Sequence, residues 1–107
     1  MRMDYPKLVR DKVPELIEET GAKPITHIAK DEEYLQFLKI KLREEVEEFI
    51  AANNVEELSD ILEVVDAIIK AQKINREQLE SYKKYKINVK GKFDKRIVLD
   101  KIKYREL

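Results

Sequence analysis

The fold is decided by the stretch KLREEVEEFIAANNVEELSD, residues 41–60, in which two helical patterns meet at a short break. In the first pattern apolar residues recur every third or fourth position, at Leu35, Leu38, Leu42, Val46 and Phe49. In the second they recur at Leu58, Ile61, Leu62, Val65, Ile68 and Ile69. Such spacing places each set on one face of a helix. Because only a few residues separate the two helices, we expect them to pack side by side and antiparallel.

Capping signals predict where the helices begin and end. The segment PELIEETG predicts a short helix that has Pro14 in its first turn and Gly21 just beyond its end. Asp31 is the expected N-cap of the first long helix, which should end near Ala52. Asn54 should cap the next helix, which runs to about residue 73, and Asn75 a shorter fourth helix, INREQLESYKKY.

The remaining segments read as extended. AKPITHIAK, residues 22–30, combines a proline with β-branched residues, which disfavours a helix. The helical pattern breaks at Gly91, and RIVL, residues 96–99, predicts a short strand or an extended arm. We therefore expect an all-α fold, an antiparallel helical bundle with a short extended C-terminal arm, in one domain spanning residues 1–107.

Composition excludes several classes of function. Lys plus Arg equals Asp plus Glu at 22 each, so the chain has no overall field that attracts nucleic acid or a membrane. The absence of cysteine excludes disulfides and thiolate metal sites. No apolar run approaches the ~20 residues of a membrane span, and the N-terminus has no signal-peptide pattern. We expect a cytoplasmic protein without a nucleic acid polymer or a membrane as partner.

Charge is nevertheless uneven along the chain, since residues 41–66 are acidic and residues 83–103 are basic. On a helical wheel, Glu45 and Glu48 lie to one side of the first apolar stripe, Glu57 lies inside the edge of the second, and Asp60 lies just beyond it. Each pair is spaced i, i+3, so its carboxylates point the same way. Crowded carboxylates at the edge of a core need a counter-charge, which Mg²⁺, or alternatively Mn²⁺, provides.

Other acidic residues on the same helices have ordinary surface positions. The wheel turns Glu44 and Glu47 away from the apolar stripe of the first long helix. It also turns Glu63 and Asp66, a second pair with i, i+3 spacing, away from the stripe of the next helix. We therefore assign no metal-binding role to these four residues.

A simpler interpretation requires no metal, because acidic helix faces are common in solution. Glu57 follows Asn54 by three residues, which is the spacing of a capping box. Glu45 and Glu48 follow Lys41 by four and seven residues, so they could form ion pairs with it. Lysine before glutamate is the weaker order for such pairs, which leaves a phosphate-facing role for Lys41 open.

Four blocks of sequence resemble one known family. EEVE with Glu48, followed by ELSD (57–60), resembles the Glu-Glu-x-x-Glu and Glu-x-x-Asp signature of the MazG-like all-α nucleoside triphosphate pyrophosphohydrolases, whose superfamily includes phosphoribosyl-ATP pyrophosphohydrolase. KLVRDKVPELI (7–17), KLREEVEEF (41–49), EELSDILEVVDAI (56–68) and FDKRIVL (93–99) resemble the small house-cleaning subgroup that opens with Lys-Leu-Val-Arg-Asp-Lys. The blocks occur in the family's order and span nearly the whole chain.

The resemblance implies that Glu45, Glu48, Glu57 and Asp60 are both the metal ligands and the catalytic carboxylates. It also points to basic residues in its first and last blocks as phosphate ligands. We predict substrate-binding roles for Lys7, Arg10, Lys41 and Arg96. The alternative is that these cations pair with acidic neighbours such as Asp11.

The implied activity is hydrolysis of nucleoside triphosphates, mainly non-canonical ones, to a nucleoside monophosphate and pyrophosphate. A phosphoribosyl-ATP pyrophosphohydrolase and a non-catalytic helical interaction module are the alternatives. This metal chemistry needs no side-chain nucleophile, so we interpret His27 as structural. Members of the family are commonly oligomers, and we expect a homodimer or a larger homo-oligomer.

Overall fold

The computed structural model describes residues 5–105, and the chain is all-α, as predicted from the sequence. Its helices are α1 (Val13–Glu19), α2 (Asp31–Ala52), α3 (Val55–Ala71) and α4 (Arg76–Lys90). Residues 5–105 contain no β-strand, so the strand predicted as one alternative for residues 96–99 is wrong. That segment is irregular and exposed, because no neighbouring strand offers its backbone a ladder of hydrogen bonds.

The chain divides into two compact units. The first, Met1–Ile74, contains α1, α2 and α3, and the second, Asn75–Leu107, contains α4. Within the first unit, α2 and α3 pack against each other. The expectation of a single domain stays a prediction.

Two adjacent asparagines make the sharp reversal between α2 and α3. Asn53 adopts the left-handed conformation, with φ of 51°, and its N–H donates to the carbonyl of Phe49 at 2.7 Å. Asn54 is extended, and its Oδ1 accepts a hydrogen bond from the N–H of Glu57 at 3.0 Å. The two residues therefore end one helix and begin the next, which confirms the predicted hairpin.

The other helix ends agree with their signals to within a few residues. Gly21, with φ of 91°, follows α1, and Asn75 Oδ1 caps α4 through the N–H of Gln78. Asp31 is the first residue of α2 rather than its N-cap, a position held by Lys30 without a side-chain bond. The predicted cap was wrong by one residue, although Asp31 still places its charge favourably in the first turn.

Only part of the predicted apolar stripe is buried. Leu38 on α2 and Val64 and Ile69 on α3 form the buried core of the described chain. Leu58 and Leu62, which we expected to be buried, are exposed. The apolar arc of α3 is wider than one neighbouring helix can cover, so α2 buries one edge of the arc and leaves the other in solvent.

The second unit consists of α4 and the irregular segment after it. α4 is longer than predicted and continues to Lys90, where Gly91 follows with φ of 81°. A turn closes at residues 93–96, with the N–H of Arg96 donating to the carbonyl of Phe93 at 3.0 Å. Across the part of the chain that is described, no helix combines the length and apolar character that a membrane crossing requires.

Candidate metal centre

The α2–α3 hairpin brings together carboxylates that lie more than ten residues apart in sequence. Glu45 comes from the second half of α2, and Glu57 and Asp60 come from the first turns of α3. One carboxylate oxygen of each lies within 4.8 Å of the others. Mg²⁺ holds its oxygen ligands at about 2.1 Å, so its neighbouring ligands lie about 3–4 Å apart. A small rotation of these side chains would therefore let all three oxygens bind one ion.

Glu48, the fourth predicted ligand, lies outside this group of three but beside it. Its negative charge acts on both Glu45 and Glu57 and raises the pKa of each. Its position one turn after Glu45 on α2 explains the proximity. The structure therefore places the four predicted carboxylates in one neighbourhood, with three of them at ligand spacing.

Two oxygen atoms of this cluster are buried without a hydrogen-bond partner: Oε2 of Glu45 and Oε2 of Glu57. Glu45 itself is only 6% exposed. A buried carboxylate oxygen that accepts no hydrogen bond costs free energy, and nearly all buried polar atoms in proteins have a partner. Both atoms belong to residues of the group at ligand spacing, so one cation bound between these carboxylates would supply a partner for the two residues together.

Burial and mutual repulsion both raise carboxyl pKa values in the cluster. Burial raises the pKa of Glu45, and the negative charges of Glu48 and Asp60 add to the effect, while Lys41 opposes it. Burial is also the main cause of the raised pKa of Glu57, and repulsion from the negative charge of Glu48 raises it further. A raised carboxyl pKa means that the folded protein disfavours the ionised form. Neutralisation of Glu45 and Glu57, by a proton or by a cation, would therefore be favourable.

Lys41 forms ion pairs with two glutamates on the α2 side of the cluster. Its Nζ lies 3.5 Å from Glu44 Oε1 and 3.3 Å from Glu45 Oε1. Glu44, which the helical wheel turns away from the apolar stripe, is nevertheless buried. The helical wheel gives only the angle between Glu44 and the apolar stripe. The ion pair with the half-buried Lys41 lowers the cost of burying the Glu44 carboxylate.

Arg10 reaches the opposite side of the cluster. Its Nη2 donates to Asp60 Oδ1 at 2.7 Å, across fifty residues of sequence. Arg10 thus forms an ion pair, as the alternative to phosphate binding predicted. Its partner is Asp60, a predicted metal ligand, rather than a sequence neighbour such as Asp11. Periodicity gave no signal for this contact, since it joins an irregular segment to a helix.

The other two predicted phosphate ligands are Lys7 and Arg96. Lys7 Nζ lies 5.5 Å from the centroid of the Tyr5 ring. Arg96 belongs to the second unit and has a positive φ of 59° in the turn after α4. Their roles in substrate binding stay predictions.

The interpretation of Glu57 as part of a capping box is confirmed for its backbone N–H. Asn54 caps its backbone N–H, as in a capping box, but the Glu57 carboxylate lies in the acidic cluster. Glu63 and Asp66 are exposed, as the wheel predicted. His27 lies outside the cluster, with Nε2 at 3.0 and 3.1 Å from the two carboxylate oxygens of Glu33.

Comparison with known proteins identifies no family. No family model matches the chain, and no solved structure matches it. A protein of Mycolicibacterium smegmatis, described only as uncharacterized, is 47% identical over 47 residues, which are 44% of this chain. The match spans 48% of the relative, about half its length.

The raised pKa values predict an unusual dependence of stability on pH in protein without divalent ions. Below the ordinary carboxyl pKa of 4.5, Glu45 and Glu57 are protonated in both the folded and unfolded states. As pH rises through their higher folded-state pKa values, the unfolded state ionises first, so their contribution to stability is lost. We expect the urea midpoint of Glu45→Gln, measured with EDTA from pH 4 to 8, to fall less over this window than that of the unsubstituted protein.

Two comparisons check this prediction. Glu63→Gln, which changes an exposed carboxylate on α3, should keep the pH dependence of the unsubstituted protein. Added Mg²⁺ should stabilise the protein most at the higher pH values, because it binds the ionised carboxylates. Identical pH profiles for Glu45→Gln and the unsubstituted protein would show that Glu45 titrates normally.

Proposed function

We propose that this protein is a Mg²⁺-dependent nucleoside triphosphate pyrophosphohydrolase that acts on non-canonical nucleotides. The observation that carries the proposal is the pair of buried, unpartnered oxygens, Glu45 Oε2 and Glu57 Oε2, in a cluster of three carboxylates at ligand spacing. Hard divalent cations prefer such oxygen ligands. The four sequence blocks that resemble MazG-like enzymes include all the residues of this cluster, which supports the nucleotide as substrate.

Glu45, Glu57 and Asp60, assisted by Glu48, would hold the ion. Bound there, Mg²⁺ would neutralise charge on the phosphates and lower the pKa of a water molecule. Lys41 pairs with Glu45 and Glu44, which fixes the Glu45 carboxylate on the α2 side of the site. Glu57 is held at the start of α3 by the Asn54 cap, so the helix end and the ligand are positioned by the same turn.

The chain contributes further to the proposed reaction through Arg10 and its neighbours. Arg10 is the guanidinium at the rim of the cluster, and guanidinium groups bind phosphate oxygens through two parallel hydrogen bonds. Lys7 lies three residues earlier and could add positive charge for a polyanion. The products would be a nucleoside monophosphate and pyrophosphate, which corresponds to a house-cleaning role in the cytoplasm.

Self-association is part of the proposal. The exposed edge of α3, which includes Leu58 and Leu62, offers apolar surface of the kind that homodimers and larger oligomers bury. A non-catalytic interaction module would use the same surface, so this feature alone does not separate an enzyme from a binding protein. The chemistry of the cluster favours the enzyme.

The test is a substrate screen that measures pyrophosphate and nucleoside monophosphate together. Purified protein with Mg²⁺ should release both from at least one nucleotide in a panel of canonical and modified triphosphates. EDTA should abolish the release, and Mn²⁺ should restore it. Phosphoribosyl-ATP belongs in the panel, because selective turnover of that compound would assign the biosynthetic activity instead. Absence of pyrophosphate from the whole panel would leave the interaction module as the better interpretation.

A further inference from the structure

We propose that Arg10 exchanges between two partners: it pairs with Asp60 while the carboxylate cluster is free of metal, and it moves to the substrate's phosphates when a divalent cation binds. This inference rests on the proposed function. It assigns Arg10 a substrate-binding role that makes phosphate binding depend on prior metal binding. Arg10 is thus a counter-ion of the resting site and a phosphate ligand of the loaded one.

The geometry of the resting state comes first. Arg10 Nη2 lies 2.7 Å from Oδ1 of Asp60, and Asp60 belongs to the group of three carboxylates at ligand spacing. The backbone of Arg10 is held in place, because its carbonyl accepts a hydrogen bond of 3.0 Å from the N–H of Val13 at the start of α1. A change of partner therefore requires only rotation of the long Arg10 side chain about a fixed origin.

Exposure decides which cation of the cluster can leave. Arg10 and Asp60 have side chains that are 59% and 37% exposed, so water screens their attraction and the pair contributes little to stability. The Lys41 side chain is only 20% exposed, and it faces two nearly buried glutamates. Separating Lys41 from its partners would leave buried charges unpaired, which is costly. Of these two cations, Arg10 is therefore the exchangeable one and Lys41 the permanent one.

Binding of a divalent ion would change which cation is the partner of the Asp60 carboxylate. A divalent cation carries twice the charge of the Arg10 guanidinium, so at the same exposure the Asp60 carboxylate attracts the metal ion more strongly than it attracts Arg10. The metal ion would therefore replace Arg10 as the partner of Asp60, because the solvent-exposed ion pair is weak. The released guanidinium stays close to the ion because its backbone is fixed, and metal-bound phosphates then offer it acceptors for two parallel hydrogen bonds.

Coupled binding is the measurable consequence. If metal binding releases Arg10 for the phosphates, metal and polyphosphate each strengthen the binding of the other by the same factor. Removing the guanidinium should affect the two ligands in opposite directions. The metal loses a competitor for Asp60, whereas the polyphosphate loses a ligand.

The experiment uses calorimetric titration of the full chain with two probes, Mg²⁺ alone and inorganic tripolyphosphate in saturating Mg²⁺. Arg10→Gln should bind Mg²⁺ about two- to fivefold more tightly than the unsubstituted protein, because a weak surface pair is removed. It should bind tripolyphosphate about tenfold or more weakly, as expected for the loss of a charge-assisted contact. Arg10→Lys keeps the charge but not the paired hydrogen bonds, so its tripolyphosphate affinity should lie between the two.

Arg43→Gln is the matched control, since it removes one positive charge from an exposed position of α2 and should leave both affinities unchanged. Weaker Mg²⁺ binding by Arg10→Gln would overturn the exchange and make Arg10 a fixed support of Asp60. Unchanged tripolyphosphate binding would overturn it as well. If the unsubstituted protein binds no Mg²⁺, the proposed metal-dependent function fails first, so the two failures are distinguishable.

Discussion

Replacing Glu57 by glutamine should reduce pyrophosphate release by about 100-fold or more while the helical fold is retained. Loss of groups that merely support a metal ligand typically costs about 10- to 100-fold, so loss of a ligand itself should cost at least as much. Stability should be unchanged or higher, because glutamine removes one of the mutually repelling charges of the cluster. The Asn54 cap is preserved, since it uses the backbone N–H of residue 57.

Three measurements check this prediction: steady-state release of pyrophosphate, helix content by circular dichroism and the urea midpoint without metal. Glu63→Gln is the matched control, because it changes an exposed glutamate on the same helix and should keep full activity. If Glu57→Gln loses helix content together with activity, Glu57 stabilises the fold and its role as a metal ligand is not supported.

Replacing Leu38 by alanine should destabilise the protein by about 2–5 kcal/mol, the usual cost of truncating a buried leucine. Leu38 is 2% exposed and is the most deeply buried side chain of the described chain. It lies on α2 two helical turns before Glu45, on nearly the same face. Its loss should therefore also weaken Mg²⁺ binding, because the α2 side of the cluster would be less rigidly held.

Urea unfolding followed by circular dichroism gives the change in the free energy of unfolding. Ile40→Ala provides the control on the same helix, since Ile40 is exposed and its truncation should cost well under about 1 kcal/mol. Similar losses for the two variants would mean that the surface around Ile40 is covered in solution, as a homo-oligomer would require.

Local signals in the sequence were sufficient to predict the helices and the reversal between α2 and α3. The two asparagines at the reversal have distinct chemical roles, one tolerating the left-handed conformation and one accepting a hydrogen bond at an N-cap. The apolar periodicity also predicted which faces of the two long helices meet. That prediction was sufficient to expect Glu45, Glu57 and Asp60 close together, as they are in the structure. The helices and their ends depend on residues within a few positions of each other, which is the range that such patterns describe.

Features that depend on distant or absent neighbours were not predictable. The Arg10–Asp60 contact joins segments fifty residues apart, and no periodic pattern relates them. Glu44 is buried beside Lys41 although its wheel position suggested solvent. Leu58 and Leu62 are exposed because periodicity reports that a face is apolar but not whether another element covers it.

The two-residue connection at Asn53 and Asn54 has a further consequence. It sets how far along α2 the first turns of α3 lie, and so which acidic side chains stand opposite one another. One extra helical residue between Glu48 and Glu57 would shift the later carboxylates by about 1.5 Å along the axis and about 100° around it. A change of length in this interval would therefore separate the acidic groups, whereas a change elsewhere that left both helices intact would keep them together.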